Sequence, residues 1–156
     1  MVSYLVFLSR YFQALNLVKD SCFLSDQHQE RAVLLLHYLQ TGETRVYEHN
    51  LLLNKLLCGW LLDMPLSSRF EPERQEELET TELLESLIQH WKILKNTSVN
   101  GLRQSFLHRE GRLTENEHGW ELLINRGGFD VLLDQLPWGI GTIHLPWMKK
   151  TLFVEW

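Results

Sequence analysis

Apolar residues recur along this chain at two different periods. Tyr4, Leu8, Tyr11, Leu15 and Val18 fall at helical spacing, with Leu5, Phe7 and Phe12 widening the stripe. Few polar residues interrupt this segment, so the helix it predicts is buried on most sides. Ala32, Val33, Leu35, Leu36 and Leu39 mark a second helix. Ser25 or Asp26 can cap it, because a side-chain oxygen there accepts from a free first-turn amide, and Gly42 suits its end. A third helix is predicted from about Tyr47 to Cys58, with Leu53, Leu56, Leu57 and Trp60 on its apolar side and Gly59 at its end. Pro72 fits the first turn of a fourth helix, where the amide that proline lacks would be unpaired anyway. Glu71, Glu73, Glu76, Glu77 and Glu79 crowd that start, where the helix dipole favours negative charge. Leu84, Leu87, Ile88 and Trp91 form its buried stripe, and Ser98 can cap a fifth helix ending at Gly111.

Beyond Gly111 the period shortens to two. Trp120, Leu122 and Ile124 alternate with Glu121, Leu123 and Asn125, as in a half-buried strand. Asn116 to Gly119 is a turn cluster, so Arg112 to Glu115 pairs with that strand as a hairpin. Phe129 to Leu136 reads as a short helix, although Val131-Leu132-Leu133 also suits a strand. Ile140 to Leu145 and Thr151 to Trp156 are two further strands around the Lys149-Lys150 turn. The fold class is therefore α+β: about five helices over residues 1–110, then a small antiparallel sheet over 111–156. Both parts belong to one compact body of ordinary domain size.

Composition narrows the function classes. Fifteen Lys+Arg against 20 Asp+Glu give a net charge of −5. No basic excess exists to displace counterions from phosphates, so nucleic acid is a poor partner. Leu51 to Leu62 is the greasiest stretch, but Asn54 and Lys55 interrupt it well short of the ~20 apolar residues of a membrane span. No basic region precedes the apolar N-terminus, which argues against a signal peptide. Cys22 and Cys58 are too few for a disulfide framework and read as two reduced, buried thiols.

The seven histidines are scattered, with no HExxH or CxxC spacing to bind a metal. No GxSxG elbow and no phosphate-binding glycine loop occurs. The sequence thus names no catalytic residue, no metal ligand and no cofactor. Asp130 and Asp134 share a helix face, which capping explains more simply than acid–base work, and Asn96-Thr97-Ser98 is better read as a cap than as a glycosylation site.

The six Trp are a high count for this length. Leu136-Pro137-Trp138 and Leu145-Pro146-Trp147 are near-copies, and Trp156 ends the chain. These rings either close a small sheet with little core of its own or anchor a protein partner, since Trp dominates interface hot spots. Trp138, Pro146, Trp147 and Trp156, with Phe7 and Tyr11 of the first helix, are the candidate partner-binding residues.

Several segments together resemble the C-terminal domain of contractile injection system tape measure proteins. Glu30 to Leu39 followed by Thr41-Gly42-Glu43 is one, and Leu53 to Gly59 another. His90-Trp91 with Leu94 to Val99 follows in the same order. Gly101-Leu102-Arg103 with Phe106-Leu107 comes next, then Gly111-Arg112-Leu113. Asp130 to Asp134 with Leu136-Pro137-Trp138 precedes the last, Leu145 to Met148 with Val154-Glu155-Trp156. No single piece is specific; their collinear order is. The resemblance implies a structural role in a phage-tail-like particle, whose tube is driven through a target envelope. It also implies docking to baseplate, hub or tube subunits, in the cytoplasm during assembly and then inside a released particle. Even fully helical, 156 residues would span only roughly 230 Å, so this chain is expected to be an anchoring end and not a measuring rod. A standalone adaptor or chaperone-like module, self-associating through the first helix, is the alternative.

Overall fold

The computed structural model describes residues 7–137 and 139–156. Tyr4 and Leu5 of the predicted first stripe lie outside them, as does Trp138. The α+β class holds, with helices first and a four-stranded sheet in the C-terminal part.

Helix α1 (Leu8–Ala14) buries Leu8, Tyr11 and Phe12 at i, i+3 and i+4. It is shorter than its apolar stripe predicts. Asn16 turns left-handed at φ 55°, and the chain enters a small hairpin, β1 (Val18–Lys19) and β2 (Cys22–Phe23). Asp20 and Ser21 between them both have positive φ, as a two-residue turn matched to strand twist requires.

Helix α2 (Asp26–Thr41) is the centre of the array. Ala32 through His37 are buried without a break, so neighbours surround its C-terminal half. Ser25 is its cap, accepting from the His28 amide at 3.3 Å, and Gly42 ends it at φ 73°. A Cβ on Gly42 would also lie 2.7 Å from the Arg103 guanidinium. Arg103 uses that space: its Nε donates to the Leu39 carbonyl at 3.0 Å and Nη2 to that of Tyr38 at 3.4 Å. A cation thus closes the carbonyl end of the helix, where the dipole favours it. Replacing Arg103 by alanine is expected to cost about 1–2 kcal/mol, because two carbonyls lose charged donors. Thermal unfolding of the two proteins measures it.

The predicted third helix is broken. Residues Glu48–Asn50 form a 3-10 turn, and α3 covers only Leu52–Leu57. The cause is Lys55, a cation only 1% exposed. Its Nζ donates to the Glu48 carboxylate and to the carbonyls of Leu62 at 3.2 Å and Met64 at 2.8 Å. In a continuous helix Glu48 would stand two turns, roughly 10 Å along the axis, from Lys55. The break brings the two together and satisfies a charge that burial would otherwise make costly.

Helix α4 (Arg74–His90) starts two residues after Pro72, which precedes the cap instead of occupying the first turn. Glu73 is the cap residue, and its amide donates to Glu76 at 2.8 Å. Glu76 also receives Arg31 of α2 through two bonds of 2.8 and 2.5 Å, while Arg31 stacks 4.5 Å from the Phe70 ring. The glutamates of this start therefore cap and cross-brace as well as solvate. Ser98 caps the short α5 (Val99–Leu102) by accepting from Gly101 at 3.0 Å. The chain then widens into a π-helical turn, Arg103–Leu107, instead of continuing as α-helix towards Gly111.

The sheet runs β3 (Gly111–Asn116), β4 (Gly119–Ile124), β6 (Leu152–Glu155), β5 (Thr142–Ile143) in space. The β3–β4 hairpin forms as the alternation predicts. The sheet is mixed, however, and not wholly antiparallel, because β4 pairs with β6 in parallel. A parallel pair needs a long crossover, and the stretch between these strands supplies it. Within it, Asp130–Gln135 is a 3-10 helix and the strand predicted over Ile140 to Leu145 shrinks to two residues. Leu122, Ile124, Ile143, Leu152 and Val154 point inward and join one apolar cluster with Leu8, Phe12, Leu35 and Leu84. Cys58 is buried as expected; Cys22 is exposed in β2, and both thiols are free.

Candidate functional site

Two tryptophans pin the C-terminal part to the helices. Trp147 lies 5.6 Å from Phe12 of α1 and 5.0 Å from Phe23 of β2, ring centre to ring centre. Its indole N–H donates to the Leu57 carbonyl at 2.7 Å, at the open end of α3. Trp91, 1% exposed, follows α4, packs 4.6 Å from Phe106 and donates to the Leu132 carbonyl at 3.1 Å. Both have an internal partner for face and N–H alike.

The other sequence-named residues are spread apart. Tyr11 is buried, and its hydroxyl shares a 2.7 Å hydrogen bond with Thr80 on α4. Burial pushes its phenol pKa well up. Phe7 and Trp156 are half-buried against the core, and Pro146 is exposed. Trp138 lies outside the described residues. Among the described residues, the large apolar side chains with the highest exposure are instead Val131 and Phe129, 65% and 59% exposed, in and just before the 3-10 segment.

Sequence reasoning missed a cleft beside the sheet. It measures about 800 Å³ and opens between α3 and the sheet, lined by Leu52 and Leu53 on one side and Leu113 and Leu122 on the other. His37, His49, His108, Arg109, Arg112 and Glu110 also line it. A smaller apolar hollow of about 230 Å³, lined by Leu56, Trp60, Trp120 and Glu115, continues along the same strand and helix. The hairpin signal located β3, but nothing local showed that α3 would face it.

Three polar groups beside the cleft have structural partners. Arg109 reaches the Asp130 carboxylate at 2.7 and 3.1 Å and also the Asn125 carbonyl. Those bonds hold the Asp130 carboxyl below its ordinary pKa. His37 is 4% exposed, its Nε2 lies 2.9 Å from the Arg45 carbonyl as donor, and burial lowers its pKa. Among the described residues, no group of three His, Cys, Asp or Glu side chains is placed to hold a metal ion. Burial also raises the Cys58 pKa, which suppresses its thiolate.

A pH dependence follows from these shifts. The unfolded imidazole of His37 takes a proton more readily than the folded one, so stability falls as pH drops below about 6.5. Asp130 adds stability above its unfolded pKa, and that is lost as pH falls below about 4. Denaturant midpoints measured across this range should decline in both windows, and His37→Gln should flatten the first.

A family model for contractile injection system tape measure proteins matches residues 4–156. The chain belongs to that family. No curated protein matches it, and no solved structure does. Membership places it among the structural components of a contractile particle. Among the described residues, no helix of this family member is long and apolar enough to cross a membrane. The segments that carry its resemblance to the family lie at its internal joints. Arg31 braces α2 to α4, Gly42 admits Arg103, and Trp91 and Trp147 hold the tail.

Proposed function

We propose that this chain is an anchoring domain that docks a tape measure protein onto baseplate, hub or tube subunits while the particle assembles in the cytoplasm. The observation that carries this reading is shape. The longest helix among the described residues, α4, has 17 residues and spans roughly 25 Å. The chain folds back on itself through one continuous core, so it has little reach of its own. A non-enzymatic, protein-binding role accords with its family. Exposed Phe129, Val131 and Pro146, together with the half-buried Phe7 and Trp156, offer apolar contact area for a protein surface.

The test is a titration of the full chain against each purified baseplate, hub and tube subunit, followed by calorimetry. Saturable binding to at least one is expected. A chain that unfolds cooperatively, and so is folded, but binds none of them would overturn the reading. Light scattering of the chain alone reads self-association in the same samples.

A further inference from the structure

Strand β3 is an edge strand: among the described residues, its only sheet neighbour is β4. The Asn125 amide donates to the Glu110 carbonyl at 2.9 Å, which sets the alternation along the hairpin. Arg112, Thr114 and Asn116 therefore direct their backbone groups to β4. Gly111, Leu113 and Glu115 direct theirs outward to the open edge. Such a row of unpaired donors and acceptors is a template for one more strand.

The surroundings fit an extended occupant. The large cleft and the smaller apolar hollow are both lined by β3 and by α3, so they form a track along the strand. Leu52, Leu53, Leu56 and Trp120 line it. The track also has a sign. Arg109, Arg112, Lys149 and Lys150 line it with Glu110 and Glu115; Arg109 is held by Asp130 and Lys150 by Glu115, which leaves Arg112 and Lys149 against Glu110, a basic side on a chain whose net charge is −5. Among the described residues, Arg112 and Lys149 make no ion pair. We propose that β3 receives an extended, acidic segment of a partner protein as an added strand, its apolar side chains against α3 and its carboxylates at Arg112 and Lys149. This rests on the docking reading above and specifies how the docking is made.

The experiment uses the full chain and the baseplate, hub and tube subunits as probes. Hydrogen exchange is compared with and without each subunit. The amides of Gly111, Leu113 and Glu115 should become protected by tenfold or more, while those of Arg112 and Thr114, already bonded within the hairpin, should change little. Glu115→Pro removes an outward amide without touching the β4 ladder, a place where an edge strand tolerates proline. It should weaken binding at least tenfold at an unchanged melting temperature. Should that variant unfold, Arg112→Glu with Lys149→Glu gives the second reading, with affinity reduced and its salt dependence flattened. Binding that leaves all three outward amides unprotected overturns the added strand while docking stands. Binding to no subunit overturns both. Protection of the same amides in a dimer of the chain itself, competing with the subunits, also overturns the heterologous partner.

Discussion

Trp147→Ala is expected to destabilise the protein by about 3 kcal/mol, which lowers the melting temperature by roughly 6–12 °C for a domain of this size. The ring fills the space between Phe12 and Phe23, so alanine leaves a void between α1, the β1–β2 hairpin and the tail. The lost indole N–H also strands the Leu57 carbonyl. Adjacent backbone cannot close in to compensate. Gly59 sits at φ 67°, where a Cβ would come within 2.6 Å of the Trp147 carbonyl, so the two segments already touch main chain to main chain. Trp147→Phe separates the contributions: it keeps much of the ring contact and should lose only about 1–2 kcal/mol, the cost of an unpaired carbonyl. The same variants separate pin from anchor. A Trp147→Ala protein that melts like the parent yet no longer binds a particle subunit would show that this ring serves the partner and not the fold.

Trp91→Ala should be the more damaging, at about 4 kcal/mol, or roughly 8–16 °C in melting temperature. Trp91 is 1% exposed, against a half-buried Trp147, so more contact area is lost. It ends α4, meets Phe106 of the π-helical turn at a tilt of 59° and holds the Leu132 carbonyl of the 3-10 segment. Three elements that are distant in sequence share that ring. Loss of Trp91 should therefore loosen Asp130–Gln135 before the rest, and exchange of those amides should quicken first. A variant whose 3-10 segment exchanges no faster than the parent would refute this account of the pin.

Much of the local structure could be read from residue order alone. The cap at Ser25, the stop at Gly42, the cap at Ser98 and the β3–β4 hairpin all follow from groups within a turn of one another. The inward alternation of β4 and the stripe of α4 follow from periodicity, because one buried face demands a fixed spacing. The departures share a different cause. α1 stops short and β1–β2 intervenes because Leu17 and Val18 find burial in a hairpin as readily as in a helix. The third helix breaks before Leu52, which brings the Glu48 carboxylate to Lys55, and a loop returning through Leu62 and Met64 supplies the other acceptors of that buried cation.

The candidate site divides along the same line. The change of apolar period predicted the α+β class, and the collinear segments carried the resemblance to the family that the match over residues 4–156 shows. Only the tertiary structure decided what those residues touch. It turned Trp147 inward onto Leu57, placed Arg103 on the carbonyls of α2, and set β4 beside β6 in parallel so that β3 was left at the edge, facing α3. The physical reason is range. Capping, turn chemistry and amphipathic period act over a few residues, whereas a pin, a crossover or a cleft exists only where remote segments meet. Which segments meet is settled by the burial of the whole chain at once.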